Sequence, residues 1–257
     1  MSSTKPAIVI VPGAFYKPWH YSFLHDALVT VSYEVTTYDL PSTGGETATS
    51  GNGPDVEVVQ SAIKAYTTRD LNVVVAMHSF GGLTGSSACK GLRSQDQANG
   101  KGVVSLVYLC AGVPIEGISM LGGTGGAHPP WARLMGEPNT GIFMFCDNPP
   151  FQPKELFYND CTPEIAAEAT QKLEYWSEGC MWSPCLYTAW KEIESNYLVC
   201  ELDQALPPEL QQFMVTMEER KGLWRKVERV RAGHSPFLST VEETAGFVRR
   251  CAGEDGV

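Results

Sequence analysis

Val73-Val74-Val75-Ala76-Met77-His78-Ser79-Phe80-Gly81-Gly82 joins an unbroken apolar run to a glycine-opened stretch, with a single serine at the junction. A buried strand that turns sharply into a helix at a serine has the layout of a nucleophile elbow, where the turn lifts a hydroxyl above the sheet edge. Such a turn makes two backbone demands. The serine sits in a strained conformation, and the residues two positions to either side leave room for strand and helix to approach. Gly81 meets the second demand. Met77 stands where the pattern G-x-S-x-G has its first glycine, so an ordinary strand end followed by an ordinary helix is the competing reading.

Working outward, residues 72–76 are the third of six short apolar, β-branched runs, the others being 7–11, 34–38, 103–109, 196–202 and 226–230. Several are continuous rather than alternating, as strands buried on both faces are. Stretches with helical spacing separate most of them: 56–66, 82–92, 208–217 and 241–251, the last with Val241, Ala245, Val248 and Cys251 on neighbouring helical positions. Alternating strand and helix implies crossover connections, and so predicts an α/β fold with a mostly parallel sheet flanked by helices. Residues 113–190 break this rhythm. They carry glycine and proline (Gly122, Gly123, Gly125, Gly126, Pro129, Pro130), many aromatics and no convincing strand, and then a helix over 163–175 with Thr162 as its N-cap. We expect 113–190 to be a helical cap inserted into a core domain of 1–112 and 191–257. An insertion after the fourth strand can cover a site at the carboxyl ends of the strands. Trp131, Trp176 and Trp182 are then candidates for the pocket wall, although aromatics here also serve to build the insertion's own core.

Composition narrows the classes of function. With 257 residues, 43% hydrophobic and 19% charged, the chain reads as a folded globular protein, and no stretch of about 18 unbroken apolar residues suggests a membrane span. The polar residues 1–6 lack the order of a secretory leader. A net charge of -10 reads against a nucleic-acid surface, which needs clustered Lys and Arg. Eight cysteines include Cys110 and Cys200 inside strand-like runs, where a free thiol behaves as a small hydrophobe, so reduced thiols and a cytoplasmic location are expected. No C-x-x-C occurs and no suitably spaced histidines follow Cys180 and Cys185, so no metal site is expected. A small, weakly polar molecule is the expected partner, and a homodimer is compatible with the chain.

A serine hydroxyl needs a base within hydrogen-bond reach and a third group to orient that base. Of five histidines, His78 adjoins Ser79 but points across the strand end, towards a packing or hydrogen-bonding role, and His20, His25 and His128 read as surface or structural residues. His234, in Arg231-Ala232-Gly233-His234-Ser235-Pro236, follows the last apolar run and so leaves the same sheet edge as Ser79. For the acid, Asp203 lies just beyond the run ending Cys200-Glu201-Leu202. Glu201 is its rival, and capping of the helix near Pro208 is its alternative role. Val11-Pro12-Gly13-Ala14-Phe15 places a glycine turn after the first strand, so the N–H groups of Ala14 and Phe80 can pair as donors to a carbonyl oxygen that gains charge. Phe15 would line the pocket.

The order Ser79, Asp203, His234, each after a different strand, is that of α/β-hydrolases. VPGAF, MHSFGG, CELDQALP and AGHSPFLS together resemble the small α/β-hydrolases of the plant methylesterase and hydroxynitrile-lyase branch, and still more their fungal relatives. The resemblance runs from Ala7 to about Ala252 and is weakest through the insertion. It implies an eight-stranded core shortened at its front, a helical cap and a cofactor-free serine mechanism acting on an ester, thioester or lactone of a small, partly aromatic molecule. Pro12 stands in place of the histidine usual before the oxyanion-loop glycine, and Met77 in place of the elbow glycine. Two other readings use the same residues: a natural-product lyase or C–C bond-cleaving enzyme, and a non-catalytic ligand receptor. The resembling lyases also use a cap lysine and a threonine near the oxyanion loop, whereas here that loop reads Ala14-Phe15-Tyr16 and the insertion offers Lys154 and Lys172 in no recognisable context.

Overall fold

In a computed structural model, residues 4–136, 142–217, 222–254 and 256 are described. The chain begins β1 (Ala7–Val11), α1 (Ser22–Thr30), β2 (Val35–Thr37), α2 (Gly53–Thr67), β3 (Val73–His78), α3 (Gly81–Ala88) and β4 (Val103–Leu109). There follow α4 (Met120–Gly123), β5 (Arg133–Met135), β6 (Phe143–Phe145), α5 (Pro153–Phe157), α6 (Pro163–Gln171), β7 (Trp176–Ser177) and α7 (Gly179–Trp182). The chain closes with β8 (Ser195–Cys200), α8 (Pro208–Thr216), β9 (Trp224–Val230), α9 (Pro236–Ser239) and α10 (Val241–Cys251).

The six apolar runs become one six-stranded sheet of order β2-β1-β3-β4-β8-β9, in which every pairing is parallel. Alternate residues face opposite layers. Ile8, Ile10, Val74 and Val107 pack with Leu24 and Leu28 of α1 and Phe247 and Val248 of α10, whereas Val9, Val11, Val75 and Leu106 pack with Val59 and Ile63 of α2 and Val215 of α8. Burial on both faces explains why these runs are continuous in sequence. β1 connects to β2 on one side and β3 connects to β4 on the other, so the strand order reverses between β1 and β3. The crevice beyond the carboxyl ends of the strands at such a point is where this class of sheet binds ligands.

The insertion departs from expectation. It is not wholly helical: β5, β6 and β7 form a three-stranded antiparallel sheet beside α4 to α7. Strands of two or three residues between glycines and prolines give no run long enough for alternation to register. The helix expected over 163–175 ends at Gln171, behind the Thr162 N-cap whose hydroxyl accepts from the Ile165 amide. Met144, Leu156, Phe157 and Trp176 share a continuous core with Ile8 and Leu109, so this segment is packed onto one face of the main sheet. Among the described residues, no helix is long and apolar enough to cross a membrane.

Candidate active site

Because the strands are parallel, the segments after β1, β3, β8 and β9 emerge together, and the site is assembled from them. Ser79 follows β3 at φ 52°, in the left-handed region that a residue with a side chain adopts only at a cost. Its carbonyl accepts from the Gly82 amide at 3.2 Å and the Gly112 amide at 2.9 Å, which holds the turn. A Cβ at Gly81 would stand 2.6 Å from the Val11 carbonyl oxygen, so glycine is required there for α3 to start so close to β1. Met77 is accommodated from the other side of the interface. Its side chain is fully buried, and a Cβ on Gly85 of α3 would lie 2.7 Å from both its Cγ and its Sδ. The room that a glycine at 77 would have supplied is thus supplied by the helix.

His234 and Asp203 meet this serine. His234 Nε2 lies 3.0 Å from Ser79 Oγ, and His234 Nδ1 lies 2.8 Å from Asp203 Oδ2. Asp203 and His234 are almost fully buried. With the Nδ1 proton donated to the carboxylate, Nε2 is left as acceptor for the serine hydroxyl. Asp203 Oδ1 accepts from the amides of Ala205 and Leu206, both at 2.8 Å, so the carboxylate organises its own loop with one oxygen and faces the imidazole with the other. It does not cap α8, whose N-cap is Pro207. Glu201 points elsewhere, to Arg229 at the surface.

His78 makes two buried contacts. Its Nε2 faces the His234 carbonyl at 2.9 Å and therefore carries the proton, so its Nδ1 accepts from the Tyr21 hydroxyl at 2.9 Å. Tyr21 in turn accepts from the Gly13 amide at 2.9 Å. Three hydrogen bonds in one sense thus link the turn after β1, the residue before the serine and the backbone of the base. Burial holds His78 well below the ordinary histidine pKa, with the neighbouring His234 acting in the same direction, so the neutral form this chain needs is the favoured one. His20 is also buried, with Nε2 on the Ala169 carbonyl, whereas His128 pairs with Glu178 and His25 with Asp26.

Ser79 and His234 open onto a cavity of about 320 Å³ that Ala14, Phe15 and Phe80 also line. Neither the Ala14 nor the Phe80 amide donates to another backbone group among the described residues. Trp131, Trp176, Met144, Phe157 and Met181 come from the insertion, and Leu210, Phe213 and Met217 from α8 and its end. Trp182 does not reach the cavity. It is 51% exposed and its indole N–H donates to Glu178. Among the described residues no Asp, Glu, Lys or Arg side chain lines the wall, and the hydroxyls of Ser119 and Thr124 are engaged with nearby backbone. Lys172 lies over the Trp19 ring, away from the cavity. His78, Cys110 and His234 place potential metal-ligand atoms within 4.8 Å of one another. These atoms are already engaged: His78 Nε2 and Cys110 Sγ bond the His234 carbonyl, both ring nitrogens of His234 serve the serine and the carboxylate, and burial drives the Cys110 thiol well above its ordinary pKa. The cluster fits a packed hydrogen-bond node better than an ion site.

Three residues of the site region gave no sequence signal. Gln211 of α8, fully buried, accepts from the Cys200 amide with Oε1 and donates with Nε2 to Asp203 Oδ2 at 3.1 Å and to the Leu206 carbonyl at 2.6 Å. Asn159 and Asp160 of the insertion bond the backbone of the loops that carry Asp203 and His234. A polar residue on an amphipathic helix or in a loop reads as solvated until its surroundings are known.

Residues 8–247 match the family described as Alpha/beta hydrolase family. Over 252 residues the chain is 33% identical to "Alpha/beta hydrolase nvfD" of Aspergillus novofumigatus, covering 97% of this chain and 98% of that one. Among solved structures, a pyrethroid hydrolase from Sphingobium faniae is similar with a TM-score of 0.73 and 19% identity, over 98% of this chain and 99% of its own. Polyneuridine aldehyde esterase is similar with a TM-score of 0.71 and 18% identity, over 96% and 99% respectively. At these identities the two structures speak for the fold.

Proposed function

The chain belongs to the alpha/beta hydrolase family, and from that premise we propose that it is a serine hydrolase acting on an uncharged ester, thioester or lactone with an apolar, partly aromatic body. Ser79 Oγ attacks the carbonyl carbon while His234 Nε2 takes its proton, and Asp203 stabilises the imidazolium that forms. The amides of Ala14 and Phe80 receive the negative charge on the oxygen, an interaction worth about 3 to 4 kcal/mol per donor. The tetrahedral intermediate collapses, His234 returns the proton to the leaving alcohol or thiol, and an acyl group remains on Ser79. Water, deprotonated by His234, then cleaves the acyl bond to release the acid. No step calls on a metal or organic cofactor. The insertion 113–190 serves as a cap over the core of 1–112 and 191–257, and its aromatics exclude bulk water. We assign the protein to the cytoplasm, a reading supported by cysteines of which all but Cys161 are buried and none is paired.

The observation that carries this reading is the line of Ser79, His234 and Asp203, at 3.0 and 2.8 Å, opening onto a wall that, among the described residues, no Asp, Glu, Lys or Arg side chain lines. The test is covalent labelling. A fluorophosphonate should modify wild-type protein at Ser79 and leave folded Ser79→Ala untouched; absence of an adduct on folded wild type would sink the proposal and favour a receptor. On aryl esters, Ser79→Ala and His234→Ala should each lower turnover on the order of a million-fold, and the double variant little more. Asp203→Asn should cost roughly ten-thousand-fold, whereas Glu201→Gln should be without effect.

A further inference from the structure

The hydrogen-bond ladder between β8 and β9 runs past both strands and stops just before the acid and the base. Its last rung is the Leu202 amide on the Ala232 carbonyl at 2.9 Å, after which the two chains splay to present Asp203 and His234. The next backbone groups are taken by two consecutive residues of the insertion. Asn159 Nδ2 donates to the Leu202 carbonyl at 2.9 Å, and Asp160 Oδ2 accepts from the Gly233 amide at 2.7 Å. Leu202 directly precedes Asp203, and Gly233 directly precedes His234. We infer that Asn159 and Asp160 are positioning residues for the proposed triad, a strap from the insertion that fixes the separation of its acid and base. This rests on the serine-hydrolase reading of the site.

The surroundings favour this role. Gly233 has no space for a side chain, because a Cβ there would run into Asn159 Oδ1 and Asp160 Oδ1. The strap is therefore seated directly on the backbone that carries the base. Two residues earlier, Phe157 lies against the His234 imidazole, with ring centroids 5.4 Å apart and planes inclined by 30°. Tyr158 packs against Tyr16, whose hydroxyl meets Ser235 Oγ at 2.9 Å. Residues 157–160 thus bear on both flanks of His234 as well as on the acid loop. Asp160 Oδ1 is buried with no hydrogen-bond partner, a costly state for a carboxylate oxygen. An asparagine at 160 could accept from the Gly233 amide equally well, so the role predicted here is geometric and not one of charge.

The experiment compares Asp160→Ala, Asp160→Asn and Asn159→Ala with wild type on a neutral aryl ester, together with rates of fluorophosphonate labelling and thermal melting. Displacing a reacting group by about 1 Å can cost a hundred-fold. Asp160→Ala should therefore lose up to roughly that factor in kcat, with KM unchanged and labelling slowed in parallel, and Asp160→Asn should recover most of the loss. Should Asp160→Ala fail to fold, Asn159→Ala carries the test, since that side chain lies at the surface, and the same split between kcat and KM is expected. Wild-type kcat and labelling in Asp160→Ala, or in Asn159→Ala if that variant decides, would overturn the strap, as would an Asp160→Asn as impaired as the alanine variant. Labelling of wild type at Ser79 serves as the separate control. If it succeeds while the strap variants behave as wild type, the positioning role alone fails; if it is absent, the hydrolase reading fails first.

Discussion

Met77 and Gly85 show how a residue that breaks a motif can leave its geometry intact. The strand side chain fills a notch that the helix leaves open, so the serine keeps its left-handed turn. Gly85→Ala should destabilise the fold by about 1 to 3 kcal/mol through overpacking. Shortening Met77 in the same chain should relieve part of that cost, and urea denaturation of the two single variants and the double variant would show the non-additivity. That Ser79, Asp203 and His234 would come together was legible in the sequence, because each stands just past an apolar run and the three come in a recognisable order. Gly85 was not, because its partner lies across a helix–strand interface that only the fold creates. Trp182 was misassigned for a related reason: an aromatic in a loop-rich segment carries no mark of which way it faces, and here the Glu178 carboxylate holds it at the surface.

On the scale of elements, α8 inverts the usual amphipathic rule. Leu210, Phe213, Met214 and Met217 recur at helical spacing, yet they line the cavity, while Gln211 and Val215 turn to the core. Periodicity located this helix within a residue but could not say that its apolar stripe faces a ligand site. Gln211→Leu should leave the Cys200 amide buried without its acceptor and release one contact on Asp203. A loss of about 1 to 3 kcal/mol is expected in urea denaturation, accompanied by a lower kcat. The short strands β5, β6 and β7 were beyond reading for a different reason, since two or three residues cannot display alternation. Their pairing is secured by contacts distant in sequence, such as the Ser177 amide on the Ser42 carbonyl at 2.8 Å.

The molecule as a whole has a predictable response to acid. His78 and His20 are both held below the ordinary histidine value of 6.5, chiefly by burial. Above that value the two residues are neutral whether the chain is folded or unfolded. Below it the unfolded chain takes up protons that the folded one refuses, so stability should fall as pH drops through and below 6.5. Asp55, whose pKa burial raises, works in the opposite sense nearer the carboxylate range. Melting temperatures measured from pH 8 down to pH 5 should decline on the acid side, and less steeply in His20→Gln; a flat wild-type profile would count against this account. The parallel sheet and its flanking helices were legible from the alternation of runs, whereas the strand order and this buried polar network were not, because strands, histidines and tyrosines far apart in sequence meet only after folding.

The chain carries a net charge of -10, most of it on exposed side chains, while among the described residues no Asp, Glu, Lys or Arg side chain lines the cavity wall. Under the function proposed above, a neutral ester would be captured by unsteered diffusion, and its entry would be indifferent to ionic strength. Its hydrolysis product is not indifferent. Once the acyl group left Ser79 as an acid and ionised, it would be an anion in an apolar chamber within an anionic molecule, where burial is unfavourable and the surrounding field repels it. On that reading the distribution of charge would give turnover a direction, leaving substrate entry alone and favouring product release.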